Sequence, residues 1–124
     1  MFGGLLKIGV YGLWRGLSHI KAIEFIDEAA VIAICDKDPK RVEEAKKFCS
    51  SSVKVCSDFD ELLEAGIDLV VLCNYLPDHA ACAIRALHKG IAVVSECLAA
   101  ATMKECVELV EAVEQTGCYY AMAE

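Results

Sequence analysis

The chain has 124 residues, of which 56% are hydrophobic, and a formal net charge of −7 at pH 7. This length supplies one well-packed core and too little chain for two domains. The 12 lysine and arginine residues are scattered, which argues against a nucleic-acid partner. No apolar run approaches the roughly 18 residues of a membrane span, and no basic residue precedes the apolar start of the N-terminal segment MFGGLLK. We therefore expect one soluble, cytoplasmic domain without a membrane partner.

Eight cysteines are many for this length, and they suggest either a disulfide or metal framework or reduced thiols that act as small hydrophobic side chains. The spacing favours reduced thiols, because no two cysteines lie closer than seven positions apart and no C-x-x-C motif exists. Most of them also lie in or beside apolar runs. We expect mainly structural thiols and no metal site.

The first predicted element is the apolar strand at residues 6 to 11, followed by a turn with Gly12 and Gly16 and then by an amphipathic helix. A second apolar strand, residues 30 to 35, ends directly before Asp36. This order is that of the first βαβ unit of a dinucleotide-binding domain, where a slim turn exposes a helix N-terminus to a pyrophosphate and an acid accepts hydrogen bonds from a ribose. Trp14 and Leu17 occupy the second and third glycine positions of G-x-G-x-x-G, so two of its three glycines are missing.

The remaining predicted strands are residues 53 to 56, 68 to 73, 91 to 95 and 118 to 122, which gives six strands alternating with five helices. Helix starts are indicated by Asp38-Pro39 and by the capping-box spacings of Asp58 with Glu61 and Thr102 with Glu105, and helix ends by Gly66, Gly90 and Gly117.

In the last helix, apolar residues recur at steps of three and four, and we expect this stripe to face the core. It consists of Met103, Cys106, Val107, Val110 and Val113. The strands are continuous apolar runs, which indicates a parallel sheet covered on both faces. We predict an α/β fold with a doubly wound parallel sheet in the order 3-2-1-4-5-6, and a ligand at the carboxyl ends of strands 1 and 4.

Four segments together resemble the N-terminal domain of the Gfo/Idh/MocA oxidoreductase family. They are IGVYGLWRG with His19, AICDKDPKRVEEAKKF, LVVLCNYLPDHAACAIRALHKG, and VVSECLAA followed by YYAMAE. The resemblance covers nearly the whole chain. It implies a Rossmann domain that binds NAD or NADP, in a family that transfers hydride with sugar or polyol-like substrates.

Carried over by position, the resemblance implies that the phosphate turn is Gly12, Leu13, Trp14 and Arg15, and that Asp36 holds the adenosine ribose with Lys37 beside it. An acid at this place favours NAD over NADP, although Lys37 weakens that preference. Each of these residues also has a non-functional interpretation. Trp14 could pack against a neighbour, and Arg15 and Asp36 could be solvated residues of a turn and a strand end.

At the other end of the cofactor, Asn74-Tyr75 replace the Thr-Pro of the family, and His79 matches a family histidine. Asn74 can still bond a ribose or amide, whereas His79 and His19 have structural alternatives as capping side chains. After strand 5 the family has Glu-Lys-Pro, but this chain has Glu96-Cys97-Leu98, and the resemblance implies that Glu96 is among the cofactor-binding residues. A thiol does not replace the charge of a lysine, so no catalytic residue is assigned.

Members of the family continue into a large substrate domain, which this chain lacks. We therefore expect residues 1 to 124 to be the cofactor domain of an oxidoreductase and to be inactive alone. The alternatives are a non-catalytic module for nucleotide sensing or oligomer assembly, and a site for another nucleotide such as coenzyme A. An apolar surface left bare by the missing domain predicts a homo-oligomer.

Overall fold

The computed structural model describes residues 4–123, and these form six strands and five α-helices in alternation. The strands are β1 (Leu6–Tyr11), β2 (Ala29–Cys35), β3 (Lys54–Cys56), β4 (Leu69–Leu72), β5 (Ala92–Glu96) and β6 (Tyr120–Ala123). The helices are α1 (Leu13–Ile23), α2 (Pro39–Lys46), α3 (Phe59–Leu63), α4 (His79–His88) and α5 (Met103–Thr116), with a single 3₁₀ turn at Leu76–Asp78. Each predicted strand is present, and its bounds agree with the prediction to within two residues.

All strand pairs are parallel, and the sheet order is β3-β2-β1-β4-β5-β6, which confirms the predicted topology. β1 and β4 are neighbours, with Tyr11 opposite Leu72 at their carboxyl ends. The chain leaves β1 toward β2 and leaves β4 toward β5, so the two connections diverge on opposite faces of the sheet. The divergence opens a crevice above the ends of β1 and β4.

Helices cover both faces of the sheet and create two apolar clusters. β4 shows how a continuous apolar run serves both: Val70 and Leu72 pack into one cluster, while Val71 packs into the other. Successive strand side chains point to opposite faces, so a strand buried on both sides favours apolar residues at every position. This is why these strands lack period-2 alternation.

The predicted helix signals have the expected geometry. Asp38 accepts a hydrogen bond from the Lys40 N–H at the start of α2, and Asp58 accepts one from the Glu61 N–H at the start of α3. Thr102 forms both bonds of a capping box at the start of α5. The three glycines predicted at helix ends all have positive φ, namely Gly66, Gly90 and Gly117.

The prediction that the apolar stripe of α5 faces the core is wrong. Its residues Met103, Cys106, Val107 and Val110 are exposed, and only Val113 of the stripe packs against the core. The buried residues of α5 are Leu109 and Ala112. Apolar positions on α5 extend around more than one face, and α4 packs against only one of them, so the spacing alone selected the wrong face.

None of the eight cysteines is bonded to another in the structure, so the prediction of reduced thiols stays a prediction. Cys35, Cys56 and Cys82 are buried, whereas Cys97 and Cys106 are exposed. The expectation of mainly buried, structural thiols therefore holds for only part of the set. Between residues 4 and 123, no helix is both long and apolar enough to cross a membrane.

Candidate functional site

The turn after β1 is closely packed against the neighbouring strand ends. Gly12 has φ +89°, and its N–H donates to the carbonyl oxygen of Cys35 at 2.9 Å. A Cβ at Gly12 would lie 2.4 Å from the carbonyl oxygen of Cys73 and 2.7 Å from the nitrogen of Asn74. Both neighbours are backbone atoms, so only glycine fits. The turn therefore holds the ends of β1, β2 and β4 together.

The N-terminus of α1 has no side-chain cap from its own N-cap residue. The N–H of Leu13 donates to Asp36 Oδ2 at 2.7 Å, and no acceptor among the described residues bonds the N–H groups of Trp14 and Arg15. These free donors and the positive end of the helix dipole face the crevice, an arrangement that suits an anion such as a phosphate.

Asp36, one residue past β2, is fixed by two backbone donors. Its Oδ2 accepts from the N–H of Leu13, and its Oδ1 accepts from the N–H of Asp38 at 2.8 Å. Each carboxylate oxygen has a further lone pair, so Asp36 can accept hydroxyl groups while it keeps both bonds. Its position is set by the same turn that presents the helix N-terminus.

A cleft with a volume of about 440 Å³ lies above these groups. Six of the sequence-predicted residues line it: Gly12, Trp14, Arg15, Asp36, Lys37 and Asn74. The others do not, namely Leu13, His79 and Glu96. Six lining residues were not predicted: Tyr11, Arg41, Cys73, Tyr75, Leu76 and Asp78. The volume is within the range of small-molecule and cofactor sites.

Trp14 does not fill the phosphate turn. Its side chain is 72% exposed, and the guanidinium carbon of Arg41 lies 5.3 Å from the centroid of its ring. The stacked pair forms an outer wall of the cleft beside Lys37 and Asp36. Arg41 lies in the first turn of α2 and follows Asp36 by only a few residues. This closeness in sequence was the signal that could have predicted Arg41 as a residue of the cleft.

His79 lies beneath the cleft rather than in its wall. Its side chain is 2% exposed, with Nε2 at 2.9 Å from the carbonyl oxygen of Asn74 and Nδ1 at 2.9 Å from that of Leu98. The ring therefore connects the loop after β4 to the loop after β5. Asn74 Nδ2 is 3.7 Å from Cys82 Sγ, and its buried Oδ1 has no partner among the described residues. An unpaired buried oxygen at this edge of the cleft suits a ligand donor.

Glu96, the last residue of β5, has its Oε1 2.7 Å from Nε2 of His19 on α1. Burial, and secondly the charge of Glu96, raise the pKa of the nearby Cys73 thiol to about 12. Cys97 is exposed, and its thiol donates to the carbonyl oxygen of Ala123 at 3.2 Å. No lysine takes the place of the family lysine in this loop.

The sheet order, the slim turn, the free helix N-terminus and the strand-end acid define the class of dinucleotide-binding α/β domains. The closely packed turn at Gly12 and the unpaired Asn74 oxygen are features that a dinucleotide fits. The family model described as "Oxidoreductase family, NAD-binding Rossmann fold" matches residues 6–124. The chain belongs to this Gfo/Idh/MocA family and is its NAD-binding Rossmann domain.

Known proteins similar to this chain are considerably longer. A curated relative, an alpha-N-acetylgalactosaminidase of Tannerella forsythia, is 30% identical over an alignment 132 positions long, and the match covers 98% of this chain and 28% of the relative. The structure of scyllo-inositol dehydrogenase from Lactobacillus casei with NAD(H) and scyllo-inositol has a TM-score of 0.87 at 26% identity and covers 96% of this chain and 36% of that one.

The WlbA dehydrogenase from Bordetella pertussis, in complex with NADH and UDP-GlcNAcA, has a TM-score of 0.85 at 26% identity. The match covers 97% of this chain and 36% of that one. The chain thus spans between 28% and 36% of the length of these three proteins.

Proposed function

We propose that this chain is the cofactor-binding part of an NAD-dependent enzyme that acts on a sugar or polyol, and that it does not catalyse turnover alone. The cleft at the ends of β1 and β4 carries the proposal, because it combines free N–H donors with a fixed acid. The two solved relatives are bound to a nicotinamide cofactor together with a cyclitol, scyllo-inositol, or with a sugar nucleotide, UDP-GlcNAcA. Bound NAD accepts or donates a hydride, and a further domain supplies the protein groups that bind the substrate.

The pyrophosphate is proposed to lie on the N-terminus of α1, where the N–H groups of Trp14 and Arg15 donate to it. Asp36 accepts from the adenosine ribose through its unused lone pairs. Lys37 and Arg41 lie next to that acid in the cleft, so they add positive charge where NADP carries its extra phosphate. We expect NAD to be preferred and NADP to be tolerated.

The nicotinamide half is proposed to contact Asn74 through its unpaired Oδ1. His79 and Glu96 support this end from below, since His79 joins the loops that follow β4 and β5. Cys97 has no charge to offer there as a thiol, and no group of this chain is assigned to proton transfer.

The test is a titration with NADH and with NADPH, monitored by the fluorescence of Trp14, the sole tryptophan. Trp14 lines the cleft, so a bound reduced nicotinamide dinucleotide quenches it or accepts its excitation energy. No change at millimolar concentrations of both cofactors refutes the proposed site. Competition with coenzyme A decides whether another nucleotide uses the same cleft.

A non-catalytic module for nucleotide sensing or oligomer assembly is the second candidate, favoured by Cys97 at the position of the family lysine. Assays of the protein encoded by the entire gene distinguish the two candidates. An oxidoreductase forms NADH from NAD⁺ with an inositol or a sugar. An enzyme like the curated relative, as its name suggests, hydrolyses an α-N-acetylgalactosaminide. Cofactor binding without either reaction favours the module.

Self-association is also proposed, through the exposed apolar face of α5 made by Met103, Val107 and Val110. Exposed apolar patches of this kind mark protein interfaces. Eight free thiols support the proposed location in the reducing cytoplasm.

A further inference from the structure

Three side chains from separate elements meet at the carboxyl edge of the sheet. They are His19 on α1, Cys73 directly after β4, and Glu96 at the end of β5. One donor atom from each lies within 4.8 Å of the other two, and all three residues are half-buried. We call these residues the His-Cys-Glu cluster. They are held by a rigid sheet edge rather than by one loop.

The plain interpretation of the cluster is a hydrogen bond between His19 and Glu96 that connects α1 to β5. It accounts for the 2.7 Å contact between those two side chains. It does not account for the sulfur of Cys73 beside the same pair. A structural bond needs two partners, whereas this site brings together nitrogen, sulfur and oxygen donors.

These donors are the ones that Zn²⁺ takes in proteins, with three protein ligands and one position left for water or another ligand. A thiolate and a carboxylate together neutralise a divalent cation, and a neutral imidazole adds no charge. Bond lengths of about 2.0 to 2.3 Å to zinc place tetrahedral donors roughly 3.3 to 3.8 Å apart. The present separations of 2.7 Å and up to 4.8 Å therefore need adjustments of about 1 Å, which side-chain rotation supplies.

We propose that His19, Cys73 and Glu96 form a binding site for one divalent cation of the Zn²⁺ type. The cation replaces the thiol proton of Cys73, which is released on binding. Arg15 is the positive group that faces this thiol, and it opposes the cation. Partial exposure of His19 and Glu96 lets water occupy the fourth position.

The test uses the reduced chain titrated with Co²⁺, which reports thiolate ligation by a near-ultraviolet charge-transfer band and tetrahedral geometry by visible bands. We expect one equivalent to bind with both signals. Cys73→Ser should remove the charge-transfer band and weaken binding by at least about 100-fold, since removal of a ligand costs more than the roughly 10- to 100-fold loss from changing a ligand's outer partner.

Cys106→Ser is the matched control, because Cys106 is exposed on α5 and is not one of the three clustered residues. It should leave both signals unchanged. Glu96→Gln keeps the size of the side chain and should weaken Co²⁺ binding by at least about tenfold. Circular dichroism confirms that each variant is folded.

Binding without a charge-transfer band, or equal affinity in the wild type and Cys73→Ser, overturns the proposal. So does loss of the signal in Cys106→Ser. The NADH titration has a different readout, so failure of the metal site leaves the proposed cofactor site intact.

Discussion

Replacing Gly12 with alanine tests the closeness of the turn on which the whole site depends. The new Cβ would meet the carbonyl oxygen of Cys73 at 2.4 Å, where ordinary contact begins at 3.4 Å. The strand end must therefore move by about 1 Å, or the turn must open by the same distance. Either change alters the spacing between the helix N-terminus and the end of β4.

The loss of stability expected for Gly12→Ala has two parts. A non-glycine residue at φ +89° costs about 1 to 3 kcal/mol in backbone strain. Overpacking against rigid backbone costs about 1 to 3 kcal/mol more. The sum of about 2 to 6 kcal/mol is a large share of the roughly 5 to 15 kcal/mol that stabilises a domain.

Gly66→Ala is the matched control, because Gly66 has φ +84° and nothing within 4 Å of the added Cβ. Urea unfolding of both variants isolates the steric part, and we expect Gly12→Ala to be less stable by about 1 to 3 kcal/mol. NADH binding should weaken at least about tenfold in Gly12→Ala alone, which corresponds to about 1.4 kcal/mol. Equal loss of stability in the two variants, within about 0.5 kcal/mol, refutes the argument.

Three further predictions concern Asp36, the half-buried thiol of Cys73 and the exposed face of α5. Asp36→Asn turns an amide N–H₂ toward a backbone donor, so it should lower the free energy of unfolding in urea by about 1 to 3 kcal/mol and weaken NADH binding. The control Asp27→Asn, on an exposed loop, should change neither quantity. Because burial, and secondly the charge of Glu96, raise the pKa of the Cys73 thiol to about 12, iodoacetamide should modify Cys73 at least about 100-fold more slowly than exposed Cys106; equal rates by peptide mass spectrometry contradict the raised pKa. Val107→Lys should convert an oligomer to a monomer in light scattering while circular dichroism shows that the chain stays folded, and a monomeric wild type contradicts the proposed interface.

The sequence was sufficient to predict the fold because several local signals agree with one another. Continuous apolar strands indicated a sheet covered on both sides, and caps such as Asp38 and Thr102 located the helix starts. The right-handed crossover rule then restricted the strand order, which the structure confirms. Some observed strand ends differ from the predicted ones by one or two residues, because pairing with a neighbouring strand, and not propensity, decides where a strand stops.

Predictions that depended on the direction of a side chain were less accurate. The spacing of apolar residues on α5 does not show which face α4 covers, so it predicts a core position for Val110, which is 56% exposed. Trp14 has space to turn outward against Arg41, which no local pattern indicates. The approach of His19 to Glu96 joins residues 77 positions apart, and only the folded sheet brings them together.

The central claim is that the cleft above the ends of β1 and β4 holds the dinucleotide. A chain of 13.4 kDa suits heteronuclear NMR, and an NADH titration of the ¹⁵N-labelled protein reports each backbone N–H separately. We expect the largest shifts at Gly12, Trp14, Arg15 and Asn74. Shifts confined to the opposite end of the sheet, around Phe48, or no shifts at saturating NADH, would contradict the claim.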